Sequence, residues 1–151
     1  MTTPALIGID WGTTSFRAYL IDRRGTVLEQ RAAPAGILQV PEMRFEETFE
    51  RELQPWLARE PDLPIVASGM IGSRQGWVEV PYLPCPAGRR ILAGALHPHV
   101  TSRGRKLSFV PGVQRRGPDG VPDVMRGEET QLVGAIFGQP DGRLFLLPGT
   151  H

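Results

Sequence analysis

Two short apolar arms, Leu6-Ile7-Gly8-Ile9-Asp10-Trp11 and Phe16-Arg17-Ala18-Tyr19-Leu20-Ile21-Asp22, flank the polar stretch Gly12-Thr13-Thr14-Ser15. Both arms are rich in β-branched and aromatic residues, so the pattern predicts a strand, a tight turn and a second strand. The turn Arg23-Arg24-Gly25 and the alternating run Thr26-Val27-Leu28-Glu29-Gln30-Arg31 add a third antiparallel strand, which makes a meander. Ala32-Ala33-Pro34-Ala35-Gly36 then breaks regular structure, and Pro41 bars a continuous strand into the next segment. From Phe45 the period changes: Phe45, Phe49, Leu53, Trp56 and Leu57 recur at helical spacing, with Glu46, Glu47, Glu50, Arg51 and Glu52 on other faces. The early glutamates suit the positive end of a helix, and Pro55 is expected to kink it or tighten its last turn. Leu63-Pro64-Ile65-Val66-Ala67 returns as a short buried strand that delivers Ser68-Gly69. Strands joined by a crossover helix indicate a mixed α/β layer.

Beyond this point the prolines 81, 84 and 86, followed by Gly88 and Gly94, predict shaped loops and short edge strands rather than a second helical layer. Lys106-Leu107-Ser108-Phe109-Val110-Pro111-Gly112-Val113 reads as a strand ending in a turn, and Arg115 to Pro122 as a connector. Gly127 precedes a helix from Glu128 to about Phe137, with Leu132, Val133, Ala135, Ile136 and Phe137 as its apolar residues. Asp141-Gly142 is a turn, and Arg143-Leu144-Phe145-Leu146-Leu147 is a strand that runs into Pro148-Gly149-Thr150-His151.

Composition narrows the function classes. With 151 residues the chain can bury one core, and the 40% hydrophobic share with a net charge of +1 argues against a long disordered acidic tail. Arginine is dense at Arg89-Arg90 and Arg103-Gly104-Arg105-Lys106, yet no aromatic platform is interleaved with it, so no polynucleotide surface is expected. Cys85 is alone and cannot form an internal disulfide, which fits a reducing compartment. The N-terminus lacks the basic and apolar signal pattern, and no run approaches the ~20 apolar residues of a membrane span. A cytoplasmic protein without nucleic-acid or membrane partners is expected.

The chemistry concentrates in the first hairpin. Gly12 lets the backbone approach an anion, while Thr13, Thr14 and Ser15 offer hydroxyls and amide donors. Asp10, at the end of the first arm, cannot itself hold phosphate but can hold Mg2+ through water, and the metal then screens phosphate oxygens. That pairing points to a nucleotide site. The plainer reading is a Gly-Thr-Thr turn that only reverses the chain, with Arg17 solvated.

The core Asp10 to Arg17 resembles the first phosphate motif of the sugar kinase, hexokinase, Hsp70 and actin superfamily. Ala67 to Tyr82 with its Gly69-Met70-Ile71-Gly72-Ser73-Arg74-Gln75 loop, Asp123-Val124-Met125-Arg126-Gly127-Glu128-Glu129-Thr130-Gln131, and Leu147-Pro148-Gly149-Thr150-His151 follow in order. Together these segments resemble the 2-dehydro-3-deoxygalactonokinase family. The resemblance implies an α/β fold, a ribonuclease-H-like actin-type ATPase lobe with a mixed β-sheet and flanking helices. It also implies ATP and Mg2+ as cofactors and phosphorylation of 2-dehydro-3-deoxy-D-galactonate at its 6-hydroxyl. In that family the chain continues past Pro-Gly-Thr-His into a second lobe, so residues 1–142 would be the N-terminal lobe and 143–151 the first strand and phosphate turn of the other.

On this resemblance Asp10 is the metal-side carboxylate, Gly12, Thr13, Thr14 and Arg17 the first phosphate site, and Gly149 and Thr150 the second. Glu128 matches the place where glycerol-like and xylulose-like carbohydrate kinases carry a catalytic Asp, and Asp123 is the competing base. As plain structure, Glu128 and Glu129 would only cap the helix N-terminus. A sugar acid needs a cation for its carboxylate, which Arg74 or Arg126 would supply, with Ser68, Gly69, Gln75, Trp77, Glu79 and Tyr82 around it. Trp77 serves equally well as core. The alternative function is a non-catalytic piece or assembly module of the same fold, self-associating through its exposed interlobe face.

Overall fold

The computed structural model describes residues 2–138 and 144–147. Strands β1 (Pro4–Trp11), β2 (Phe16–Asp22) and β3 (Val27–Ala33) form the expected meander, with β1–β2 and β2–β3 antiparallel. Helix α1 (Phe45–Arg59) crosses over to β4 (Ile65–Ser68), which lies parallel to β1 on its other edge. The chain continues through a two-residue strand β5 (Leu83–Pro84), a short helix α2 (Arg89–Gly94), β6 (His97–Val100) and β7 (Lys106–Phe109). It then runs through β8 (Val113–Arg116) and β9 (Pro122–Met125) into helix α3 (Glu128–Gly138). The main sheet has the order β3-β2-β1-β4-β7-β6, and β5-β8-β9 make a second, smaller sheet.

Strand alternation decides the faces. Ile7, Ile9 and Trp11 of β1 and Phe16, Ala18 and Leu20 of β2 are buried in one cluster with Phe45, Phe49, Leu53, Trp56 and Leu57 of α1. The intervening positions Leu6, Gly8, Asp10, Arg17, Tyr19 and Ile21 line a shallow hollow of about 400 Å3 on the other face. Helix α1 runs unbroken through Pro55, and its far end is tied to β3 because Glu29 accepts the Trp56 indole N–H at 2.7 Å and pairs with Arg59 at 2.6 Å.

Four readings of the sequence change here. The run 106–113 is not one strand: β7 stops at Phe109, Pro111-Gly112 breaks the ladder, and Val113 opens β8. The connector 115–122 is mostly a hairpin, because Gly117 and Gly120 turn β8 back on β9, with Arg115 opposite Asp123. The middle also contains α2, which the prolines argued against. Of the predicted strand 143–147, residues 144–147 form none; Leu144 and Leu146 are exposed, and no described strand lies beside them to complete a ladder. Arg143, Asp141-Gly142 and Pro148 to His151 lie outside the described residues. Among the described residues, no helix is long and apolar enough to cross a membrane.

The second meander turn, between β2 and β3, is closed by Asp22, whose carboxylate accepts the N–H groups of Arg24 and Thr26, each at 2.8 Å. The Thr26 N–H, then that of Arg24, holds its carboxyl below the usual value of 3.8 against the opposing effect of burial. A depressed folded-state value stabilises the fold above the unfolded pKa, and this contribution is lost as pH falls through the folded one. The gap in thermal midpoint between the parent and Asp22→Asn is therefore expected to be widest near neutral pH and to narrow below 3.8. Thermal melts across an acid series check this, and a gap independent of pH refutes it.

Candidate functional site

In open α/β sheets ligands gather beyond the carboxyl ends of parallel strands, where the topology changes direction. Here that place is the β1/β4 edge, where Asp10 pairs in register with Ser68. A cleft of about 100 Å3 opens there, lined by Asp10, the turn residues Gly12, Thr13, Thr14 and Ser15, Arg17, Gly69, Met70, Arg126, Gly127, Glu128, Gln131 and Leu147.

The turn is braced from behind. Its Gly12 N–H donates to Ser15 O at 2.9 Å, while Ile37 and Leu38 donate their amides to Gly12 O and Thr13 O at 3.0 and 3.2 Å. Gly36 lies so close that a Cβ there would sit 2.3 Å from the Thr14 carbonyl carbon. The N–H groups of Thr13 and Thr14 donate to no acceptor among the described residues. Two undonated amides beside three hydroxyl side chains form a concavity suited to anions.

Asp10 faces this turn and pairs with Arg17 at 3.4 Å. Burial pushes its carboxyl above 3.8; Arg17 opposes that shift and Glu128 adds to it. A partly desolvated carboxylate next to an anion cradle fits a divalent cation, which Asp10 would hold while the amides hold an anion, because hard oxygen donors are what Mg2+ takes. Among the described residues no three His, Cys, Asp or Glu side chains gather into a metal cluster, so Asp10 is the one carboxylate placed beside the turn with a partner across the cleft in Glu128.

The opposite wall is the β9–α3 junction. Gly127, at φ +113°, lets this junction approach Gly69; a Cβ on Gly127 would lie 3.1 Å from Gly69 Cα. Gly69, at φ +97°, in turn presses on the Trp11 carbonyl oxygen, which a Cβ would meet at 2.7 Å. Glu128 Oε2 accepts the Arg126 N–H at 2.9 Å, and Glu129 Oε2 accepts that of Gly127 at 2.8 Å. Arg126 is buried: its guanidinium covers the Tyr82 ring at 4.1 Å and donates from Nη2 to Val80 O at 2.7 Å. Its Nε and Nη1 have no hydrogen-bond partner among the described residues.

The fold thus brings together Asp10, Gly12, Thr13, Thr14, Arg17, Gly69, Arg126 and Glu128. It does not bring in the others. Ser68 is buried beneath the edge, with its hydroxyl 3.4 Å from Ile9 O, and Arg74 and Gln75 occupy an exposed turn. Glu79 is exposed, and Tyr82 is a backing for Arg126 rather than cleft wall. Trp77 lies among the rings of Trp11, Phe49, His99 and Phe109, at 5.0 to 6.5 Å, so its indole serves the core. Asp123 sits on β9 against a separate surface groove. Gly149 and Thr150 fall outside the described residues. Ser15 lines the cleft as the third hydroxyl of the turn; Met70, Gln131 and Leu147 line it without having been given a role there, and of these only Gln131 carried a signal, one helical turn beyond Glu128 on the same face.

A model of the 2-keto-3-deoxy-galactonokinase family matches residues 10–151. The chain is 38% identical over 144 residues to the "Probable 2-dehydro-3-deoxygalactonokinase DgoK1" of Rhizobium meliloti (strain 1021), covering 95% of this chain and 46% of that protein. It is 36% identical over 149 residues to the 2-dehydro-3-deoxygalactonokinase of Escherichia coli (strain K12), covering 99% and 48%. A crystal structure of a candidate 2-dehydro-3-deoxygalactonokinase from Sinorhizobium meliloti superposes with a TM-score of 0.78 at 36% identity, over 88% of this chain and 43% of that one. The chain spans about half the length of the curated relatives it matches.

The brace behind the turn is directly testable. Gly36→Ala places a methyl group against the backbone of Thr13 and Thr14 and is expected to cost about 1–3 kcal/mol as that turn shifts. Urea unfolding of the variant against the parent measures this; an unchanged midpoint would mean that the close approach is not a constraint.

Proposed function

Because the chain belongs to the 2-keto-3-deoxy-galactonokinase family, we propose that the whole protein transfers the γ-phosphate of ATP to the 6-hydroxyl of 2-dehydro-3-deoxy-D-galactonate, with Mg2+ as the accompanying cation. The observation that carries the reading is the cleft in which Asp10 and the undonated amides of Thr13 and Thr14 face Glu128. In this reading the two amides and the turn hydroxyls hold phosphate oxygens, and Asp10 holds the cation side. The cation, when bound, supplies positive charge that the phosphate oxygens need as the transfer proceeds.

Glu128 is the base in this proposal: it lines the same cleft and would accept the proton of the attacking hydroxyl at a carboxylate oxygen. Asp123 lines a separate groove, so this proposal does not give it the role. Arg126 lines the same cleft and is the cation proposed for the sugar acid or the moving phosphoryl group; its buried Nε and Nη1, unpartnered among the described residues, would meet an acceptor there once the side chain turns toward it. Arg74, Gln75 and Glu79, exposed on the loop after β4, are proposed to reach the substrate only with the rest of the protein in place. Residues 143–151, with Gly149 and Thr150, are proposed as the start of the second lobe, which supplies the remaining wall and excludes water.

In the whole protein, Asp10→Asn is expected to abolish Mg2+-dependent turnover with the fold retained, because the change removes charge with little change of volume. Coupled spectrophotometric assays with circular dichroism check it, and ordinary turnover in that variant rejects the assignment. Glu128→Gln is expected to lower kcat by about 10²–10⁴-fold while nucleotide affinity stays near the parental value. A panel of sugar acids and simple sugars completes the test: equal use of glycerol, xylulose and glucose would remove the proposed substrate.

A further inference from the structure

The wall opposite the phosphate turn depends on one backbone conformation, and the residue that holds it plays no part in the chemistry above. Gly127 keeps φ +113° and packs against Gly69, so a small rotation there would move Arg126 and Glu128 together. The Glu129 side chain is only 4% exposed; it accepts the Gly127 N–H at 2.8 Å through Oε2 and the Thr130 hydroxyl at 3.1 Å through Oε1. It also shares with Val113, Met125, Leu132, Val133, Cys85 and Arg89 the lining of a mostly apolar cavity of about 530 Å3 that has no residue in common with the cleft.

A carboxylate is a costly group in such a place. Burial pushes its carboxyl above 4.5, and the hydrogen bonds oppose that shift without cancelling it. A leucine would fill the same space with the apolar neighbours and no desolvation cost, so packing does not account for an acid here. What the acid does, and leucine cannot, is hold the amide of Gly127. Its neighbour Glu128 holds the amide before it, that of Arg126. Two consecutive amides are thus clamped by two consecutive glutamates, one in the cleft and one behind it.

We propose that Glu129 is a positioning residue for phosphoryl transfer, whose buried carboxylate locks the Gly127 turn and so sets where Glu128 and Arg126 stand against Asp10 and the phosphate turn. The inference rests on the kinase reading of the cleft. Glu129 itself neither touches substrate nor moves a proton.

The test compares Glu129→Gln, Glu129→Leu and Glu129→Met in the whole protein. Glutamine keeps an acceptor for Gly127 and a polar partner for Thr130, so kcat is expected to stay within about threefold of the parent with the same pH–rate profile. Leucine and methionine keep the bulk but remove the acceptor. They are expected to lower kcat at least about tenfold, with a smaller change in KM for ATP, and to speed hydrogen exchange of the Gly127 amide by a similar factor. Loss of turnover in Glu129→Gln, with the acid limb of the pH profile gone, would make Glu129 itself the base and overturn the proposal. Parental kcat and slow Gly127 exchange in the leucine or methionine variant would overturn it too. Should neither apolar variant fold, the glutamine variant decides alone, since a positioning role requires it to stay active. A parent protein without turnover on any sugar acid overturns the kinase reading, whereas an active parent with the contrary variants overturns only this one.

Discussion

The buried indole of Trp11 is the fixture on which the ligand-binding edge depends. Its ring packs edge-on against Phe16 at 4.8 Å and Phe45 at 6.0 Å, joining both strands of the first hairpin to α1. Its N–H donates to Ala35 O at 2.7 Å, and leaving that donor unpaired in the core would cost about 1–3 kcal/mol. Fixing Ala35 also fixes Gly36, Ile37 and Leu38, the residues that brace the turn from behind. A polar loop at the protein surface therefore takes its shape from an aromatic ring in the core, and the carbonyl of the same Trp11 is what Gly69 presses on from the other side.

The cleft is built largely from main chain. Four glycines, Gly12, Gly36, Gly69 and Gly127, sit where β1, the segment after β3, the end of β4 and the β9–α3 junction converge, and at three of them a Cβ would crowd another backbone segment. Such close approach leaves little room for side chains, so the few that remain carry the charge: Asp10 and Arg17 on one wall, Glu128 and Arg126 on the other. Arg17 offsets only part of the cost of ionising Asp10, to which burial and the nearby Glu128 add, so a positive charge bound in the cleft would favour the Asp10 carboxylate.

Much of this was legible in the amino-acid sequence. The meander, α1, β4 and α3 follow from periods of two and 3.6 residues, and the chain reversal at residues 12–15 follows from polar residues and Gly12 between strand-forming arms. The short elements were harder to read. Strands of two to four residues, such as β5, β8 and β9, are too brief to show alternation, and their sheet forms only because Leu83 finds Val113 from a distant part of the chain while β8 and β9 fold back as a hairpin. Side-chain destinations in the Gly69–Tyr82 loop were equally hidden: the same amphipathic ring suits a sugar or a core, and only the positions of Phe49, His99 and Phe109 send Trp77 inward. Residues 144–147 show the reverse case, a strand pattern without a neighbouring strand to realise it.

The parallel pairing of Ile7 with Ile65, and of Val66 with Ser108, has a consequence for the order in which the protein is made. Antiparallel neighbours in the meander meet across short turns, whereas these parallel ladders must close long loops before any bond rewards them. As the chain leaves the ribosome, Asp10, the phosphate turn and the brace at Gly36 to Leu38 emerge early and from adjacent sequence. The wall carrying Arg126, Gly127 and Glu128 emerges far later. A nascent chain therefore presents the turn beside Asp10 well before residues 126–128 can be laid against it to form the cleft.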